Sequence, residues 1–264
     1  MEKQKLEEQL TQFKEAVSSA SCLLIGVGDE WAAGEKRSRE ELAEAYQALY
    51  SLTEGKDYFI ITTVTDGLIR ESAPDQGRIT APCGNEQWQQ CSRACTRDIW
   101  EPGEIPDGLC PHCGAPLTGN TIFAETYIEE GYLPQWKAYQ EWLGRTLNRE
   151  LLAVELGEGF LLPKLIRWPF EKTVFFNKKA HMYRVNETFA QVSEDIGDRS
   201  VSVQANSVDF VRMAAACFKK TERVIIVYSP ALCYYFKSSV GAEIYFPRMT
   251  AQTKATEAKV TKER

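Results

Sequence analysis

Apolar residues recur at helical spacing over the first turns of the chain: Leu6, Leu10, Phe13 and Val17, with Glu, Gln and Lys between them. This spacing predicts an amphipathic helix, which the serines of residues 18–21 interrupt. Cys22-Leu-Leu-Ile-Gly26 is a short apolar run of the kind that forms a buried strand. Ser38-Arg-Glu-Glu41 has the form of a capping box and opens a helix through Leu42, Tyr46, Leu49 and Leu52. Gly55-Lys-Asp57 turns the chain, and residues 58–63, rich in β-branched and aromatic side chains, read as a second buried strand. Residues 121–125 read as extended. Trp136, Tyr139, Leu143 and Leu147 return to helical spacing, with Pro134 near the start. Strands follow at 151–156, 180–185 and 201–204, then a helix at 207–217. Residues 224–228 form a further strand, residues 233–236 and 243–246 pair as a hairpin, and residues 250–264 are too poor in large apolar side chains to pack. Strands alternating with helices predict an α/β fold: a Rossmann-like, doubly wound, mostly parallel sheet.

One stretch departs from this alternation. Cys91-Ser-Arg-Ala-Cys95 and Cys110-Pro-His-Cys113-Gly114 are two short cysteine pairs joined by a loop, the spacing of a tetrahedral metal site. Cys91, Cys95, Cys110 and Cys113 would give four thiolates to Zn2+, which accepts soft ligands and imposes no geometry of its own. Four sulfurs leave no open position, so the ion is structural. His112 is spare once the cysteines fill the shell. The alternatives are free buried cysteines or two disulfides. The expected organisation is residues 1–82 and 126–217 as a discontinuous sheet domain, residues 83–125 as an inserted zinc-binding module, and residues 218–264 as an extension.

Composition narrows the function. The chain has 264 residues, 44% hydrophobic and 26% charged, with a net charge of −6. That charge, without a basic stripe, argues against nucleic acid as a partner. There is no apolar h-region near the start and no run long enough to span a membrane. Eight cysteines, four of them in metal spacing, fit a reducing, cytoplasmic setting. Only two histidines, His112 and His181, are present, which limits imidazole catalysis.

Glycine turns follow two of the strands. Gly26-Val-Gly28 ends the first, either as the phosphate turn of a nucleotide-binding βα unit or as a tight turn only. Gly157-Glu158-Gly159 ends the strand at 151–156. Thr63, Thr65 and Asp66 lie at the carboxyl end of the strand at 58–63, where α/β sheets bind ligands; an ordinary turn role for Asp66 stands beside that reading.

Taken in order, these pieces resemble the sirtuins, most closely the bacterial class linked to macrodomain proteins. The likeness rests on Gly55-Lys-Asp-Tyr-Phe-Ile-Ile-Thr-Thr63, the cysteine module, Glu155-Leu-Gly-Glu-Gly-Phe160, Pro163 and Ile166-Arg-Trp-Pro-Phe-Glu171, and it covers about residues 5–215. The resemblance implies a Rossmann-like NAD domain with an inserted zinc module. It also implies cleavage of the nicotinamide–ribose bond of NAD, with transfer of ADP-ribose to an acyl-lysine, water or a protein side chain. By the same likeness, Gly26 and Gly28 approach the diphosphate, Asp66 and Glu158 lie near ribose hydroxyls, Gly157 belongs to the second nucleotide turn, and Asn186 contacts the adenosine ribose. Cys83 stands where the family has its His or Gln general base. Val64 stands in place of the Asn of the Thr-x-Asn-x-Asp pattern, and valine cannot hydrogen-bond a ribose or an amide. Asp29 and Glu30 follow the first glycine turn and would repel a diphosphate. Only residues 29–57 separate Gly28 from Tyr58, so the loop that closes over NAD in the family is largely missing. The expected protein is sirtuin-like and binds NAD or ADP-ribose. It is an ADP-ribosyltransferase or deacylase if active, and otherwise an inactive scaffold or partner subunit.

Overall fold

The computed structural model describes residues 2–73, 75–222, 236–238 and 241–243. Its elements run α1 (Glu2–Ser19), β1 (Cys22–Val27), α2 (Arg39–Thr53), β2 (Asp57–Thr62), α3 (Leu68–Glu71), β3 (Ile79–Thr80), β4 (Gly84–Cys91), β5 (Ile99–Trp100), β6 (Leu117–Thr121), α4 (Leu133–Arg145), β7 (Leu151–Leu156), α5 (Arg167–Phe176), β8 (Ala180–Val185), β9 (Ser200–Val203) and α6 (Ser207–Glu222). The chain divides into two compact units, residues 1–215 and 216–264. In the second, β10 (Phe236–Ser238) and β11 (Gly241–Glu243) pair antiparallel, with Phe236 opposite Glu243. The remainder of the expected hairpin, the strand at 224–228 and the tail at 250–264 lie outside the described residues.

Six strands form one parallel sheet in the order β3-β2-β1-β7-β8-β9. β1 and β7 are buried at every position, as central parallel strands covered on both faces must be. On one face, Cys22, Leu24, Phe59, Ile61, Ala153 and Met182 pack against Tyr139 and Trp142 of α4 and Phe170 and Val174 of α5. Tyr183 points to the other face, because successive strand residues alternate. There its ring meets Phe13 of α1 edge-on at 5.1 Å, and Phe13 in turn meets Phe210 of α6 at 5.2 Å. The capping box is present as expected: Ser38 Oγ accepts from the Glu41 amide, and the Glu41 carboxylate accepts from the Ser38 amide.

A second, three-stranded antiparallel sheet, β5-β4-β6, carries the cysteine loops. Here one expectation is corrected. Residues 121–125 are not an extended segment, because β6 ends at Thr121 and the chain turns. Thr121 Oγ1 accepts from the Phe123 amide, and the Ala124 amide reaches Thr121 O at 3.0 Å.

Charge is buried between β7 and β8. Glu155 and Arg184 stand opposite each other in the parallel register and are almost wholly enclosed. Arg184 binds Glu155 through two nitrogens, each at 2.8 Å, and Glu171 of α5 at 2.7 Å. Arg167, 3% exposed, lies 3.2 Å from the same Glu155 carboxylate. A buried pair of this kind is costly to break singly, since one charge is stranded. Arg184→Leu is expected to lower the urea-unfolding free energy by about 3 kcal/mol. Adding Glu155→Leu should recover part of that loss, and additive losses in the double variant would show that the two groups are uncoupled.

Candidate functional site

The strand order reverses between β1 and β7, and ligands of open α/β sheets bind beyond the carboxyl ends at such a reversal. A cleft of about 180 Å3 lies there. Its walls include Asp29 and Ala33 after β1, Thr63 to Asp66 after β2, Glu158 after β7, and Glu86 and Phe123 from the cysteine module. Asp66 Oδ2 accepts from the Ala33 amide at 2.9 Å and Oδ1 from the Leu68 amide at 3.0 Å. Thr65 Oγ1 donates to Glu86 at 2.6 Å, and Thr63 Oγ1 donates to Glu158 Oε2 at 2.7 Å.

The glycines serve packing. A Cβ on Gly26 would strike Ile166 and sit 3.0 Å from the Phe170 ring, so this glycine lets α5 close on β1 and does not face the cleft. Gly28 is extended, and a Cβ there would strike Glu158. Gly157 has φ +66°, a conformation that suits glycine, and a Cβ there would lie 2.5 Å from Glu30. A Cβ on Gly159 would lie 2.6 Å from the Asp29 carboxylate. The two glycine turns are therefore pressed together by the Asp29–Trp31 turn between them. Asn186 is also committed internally: its amide nitrogen donates to Glu158 O at 3.0 Å, and its oxygen accepts from the Thr188 and Phe189 amides.

The cleft is acidic. Burial pushes the Glu158 carboxyl up to about 8, against the Thr63 hydroxyl bond that favours its ionised form; the nearby Asp29 charge adds to the rise. Burial likewise raises Asp29, opposed by the Gly159 amide. Cys83 is fully enclosed, and burial, then the charges of Glu158 and Asp29, push its thiol up to about 12. A thiol held protonated this firmly is neither base nor nucleophile near neutral pH.

Cys91, Cys95, Cys110 and Cys113 come together, with all four sulfurs within 4.8 Å of one another. The Cys91–Cys113 and Cys95–Cys110 sulfurs are 3.6 and 3.5 Å apart. Four thiolates about 2.3 Å from a tetrahedral ion lie roughly 3.8 Å apart, so the cluster is the size that such an ion needs. Gly114, at φ +67°, bends the second knuckle back, and its amide reaches Cys110 O at 2.8 Å. His112 instead contacts Asp98 at 2.8 Å.

Sequence reasoning missed Thr63 as the partner of Glu158, Glu86 and Phe123 as cleft walls, and Arg167 behind them. Arg167 donates to Glu158 O at 2.7 Å and stacks 4.4 Å from the Phe160 ring centroid. The usable signal was a charge inside each of two apolar strands, Glu155 and Arg184, which demands buried partners.

Comparisons with known proteins agree with this architecture. The chain is 28% identical over 182 residues to a protein ADP-ribosyltransferase of Staphylococcus aureus, covering 61% of this chain and 57% of that protein. It is 28% identical over 148 residues to a probable bifunctional ADP-ribose hydrolase/ADP-ribosyltransferase of Fusarium oxysporum f. sp. cubense, covering 46% and 24%. The chain thus spans little more than half of the first relative and about a quarter of the second. Two solved structures of Sir2 homologues, both point variants in complex with ADP-ribose, superpose with a TM-score of 0.53 at 12% identity, covering 82% of this chain and 99% of theirs. The fold is therefore Sir2-like. No protein-family profile matches the chain.

Glu158 gives the site a pH signature. Its folded value of about 8 lies above its ordinary 4.5. The folded chain thus holds a proton that the unfolded chain releases across that interval. Its contribution to stability is complete below the ordinary value and is lost as pH rises through the folded one. Glu158→Gln should gain on wild type as pH rises, by roughly 4 kcal/mol by pH 8, and a pH-independent difference in urea unfolding would contradict the assignment.

Proposed function

We propose that this chain, a sirtuin-fold protein related in sequence to protein ADP-ribosyltransferases, binds NAD or ADP-ribose at the strand-end cleft and is impaired in the transfer reaction. The observation that carries this reading is the placement of Thr63, Thr65 and Asp66 at the carboxyl end of β2, beside the sheet reversal. The cleft suits a ribosyl group, with hydroxyl and carboxylate partners on its walls. In the described conformation it does not fit a whole dinucleotide, because ligand pockets for molecules of drug size run from about 300 Å3 upward. A diphosphate at the glycine turns would also meet Asp29 and Glu158. Val64 and the protonated Cys83 occupy the two positions that the resemblance makes chemical.

Asp66 and Glu158 are the ribose-facing candidates. Gly28 and Gly157 set the turns that border the cleft, whereas Gly26 and Asn186 act from behind it. Exposed Phe123 and Leu161 at the cleft wall, 68% and 69% accessible, offer an apolar rim to a protein substrate or partner subunit. A scaffold without nucleotide is the second reading, favoured by the carboxylates packed against the glycine turns. Among the described residues no helix is long and apolar enough to cross a membrane.

Incubation with NAD should release no nicotinamide above background, while ADP-ribose should raise the unfolding midpoint, as a ligand of the folded state must. Sustained nicotinamide release would contradict the impaired chemistry. If neither nucleotide binds the wild-type chain or a folded variant with the Asp29–Trp31 turn loosened, the scaffold reading prevails.

The four-cysteine site is read as zinc, bound to close the module and not to react. Purified protein should carry one zinc per chain by elemental analysis. Cys110→Ser or chelation should unfold the module around β4–β6, seen as fast amide exchange there. Full protection in metal-free protein would overturn the structural role.

A further inference from the structure

The crevice at the sheet reversal is filled by the chain itself. After β1, residues Asp29–Trp31 make a single 3-10 turn that lies over the second glycine turn. The Glu30 amide donates to Gly157 O at 3.3 Å, and the Gly28 amide donates to Leu156 O at 2.9 Å. Trp31 is fully buried, and its indole donates to Ser207 Oγ at 3.0 Å. Between these anchors, the Glu30 carboxylate takes two backbone amides: Glu187 at 2.7 Å, just past β8, and Ser207 at 2.6 Å, the first residue of α6. The next amides of α6, from Val208 and Asp209, are capped by the Asn206 side chain. Glu30 thus places a negative charge where the free amides and the dipole of a 16-residue helix favour one. Gly157 lacks a Cβ where Glu30 passes, and Gly159 lacks one where Asp29 passes. The space that glycine leaves for a ligand in a nucleotide turn is taken here by side chains from β1's own loop.

We propose that the Asp29–Trp31 turn is a built-in plug of the nucleotide crevice, latched by Glu30, which a nucleotide must displace before its phosphates can enter. The inference rests on the nucleotide-binding reading above and adds its regulation. The resting chain binds weakly because the seat is occupied, and anything that releases Glu30 opens it. Such a population-shift penalty lowers apparent affinity by the fraction of chains that are open.

The test compares wild type with Glu30→Ala and the milder Glu30→Gln, all full-length. ADP-ribose affinity is measured by calorimetry and backbone exposure by hydrogen exchange. Without ligand, the Glu187 and Ser207 amides should exchange slowly in wild type and faster in both variants, while the β1, β2 and β7 amides stay protected. ADP-ribose should bind Glu30→Ala at least about tenfold tighter than wild type, with Glu30→Gln between them. In wild type, saturating ADP-ribose should deprotect residues 29–31. Equal affinity in all three proteins would overturn the plug and leave the nucleotide site standing. Absence of binding in all three, with the strands still protected, would overturn the plug and the nucleotide reading together. If Glu30→Ala fails to fold, Glu30→Gln alone decides: affinity no greater than wild type rejects the plug.

Discussion

Burying a carboxylate inside a parallel sheet is the constraint from which the cleft follows. Glu155 sits in the middle of the sheet, shut off from bulk solvent, so it must gather cations. Arg184 supplies a two-nitrogen contact from the next strand, and Arg167 reaches in from the start of α5. The same Arg167 Nη1 also donates to Glu158 O, and its Nη2 donates to Phe189 O, in the two loops that follow β7 and β8. One buried charge therefore fixes the register of two strands, the approach of a helix and the path of both loops behind the cleft. The arrangement contributes definition more than net stability, because desolvation offsets much of the attraction.

The sheet was legible because its central strands are mostly apolar runs and its helices are amphipathic. β1, β7 and β8 lie where the apolar runs place them, and the Ser38 box starts α2 as read. α5 escaped notice because Pro169 looks like a breaker. It lies in the first turn, where its missing amide costs nothing. The four cysteines were readable from spacing alone, since a tetrahedral site asks little beyond two pairs and a loop.

The site was half legible. Glycines after a buried strand report that a Cβ is excluded; they do not report what excludes it. At Gly26 it is α5, and at Gly157 and Gly159 it is Glu30 and Asp29, far away in sequence. The acidic pair after Gly28 did carry a warning, for two carboxylates beside a diphosphate turn need either a cation or donors of their own. The structure supplies donors: two amides for Glu30, the Gly159 amide for Asp29 and the Thr63 hydroxyl for Glu158.

The cysteine module and the cleft are joined through the root of β4. The chain enters β4 through Cys83 and Gly84, where φ of +88° and the nearness of Asn120 O leave room only for glycine. The Ile122 amide then ties back to Cys83 O at 3.0 Å, and Tyr127 hydroxyl donates to Pro82 O at 3.0 Å. Those bonds fasten the root of the module beside β2, so that Glu86 from β4 and Phe123 past β6 become walls of the cleft. A three-stranded sheet with a core of Cys91, Cys110 and Ala115 buries too little apolar surface to hold that geometry unaided. The four sulfurs, all within 4.8 Å of one another, could hold a metal ion, and such an ion would supply what the small core lacks. A cysteine cluster that lines no part of the cleft is thereby tied to the shape of its walls.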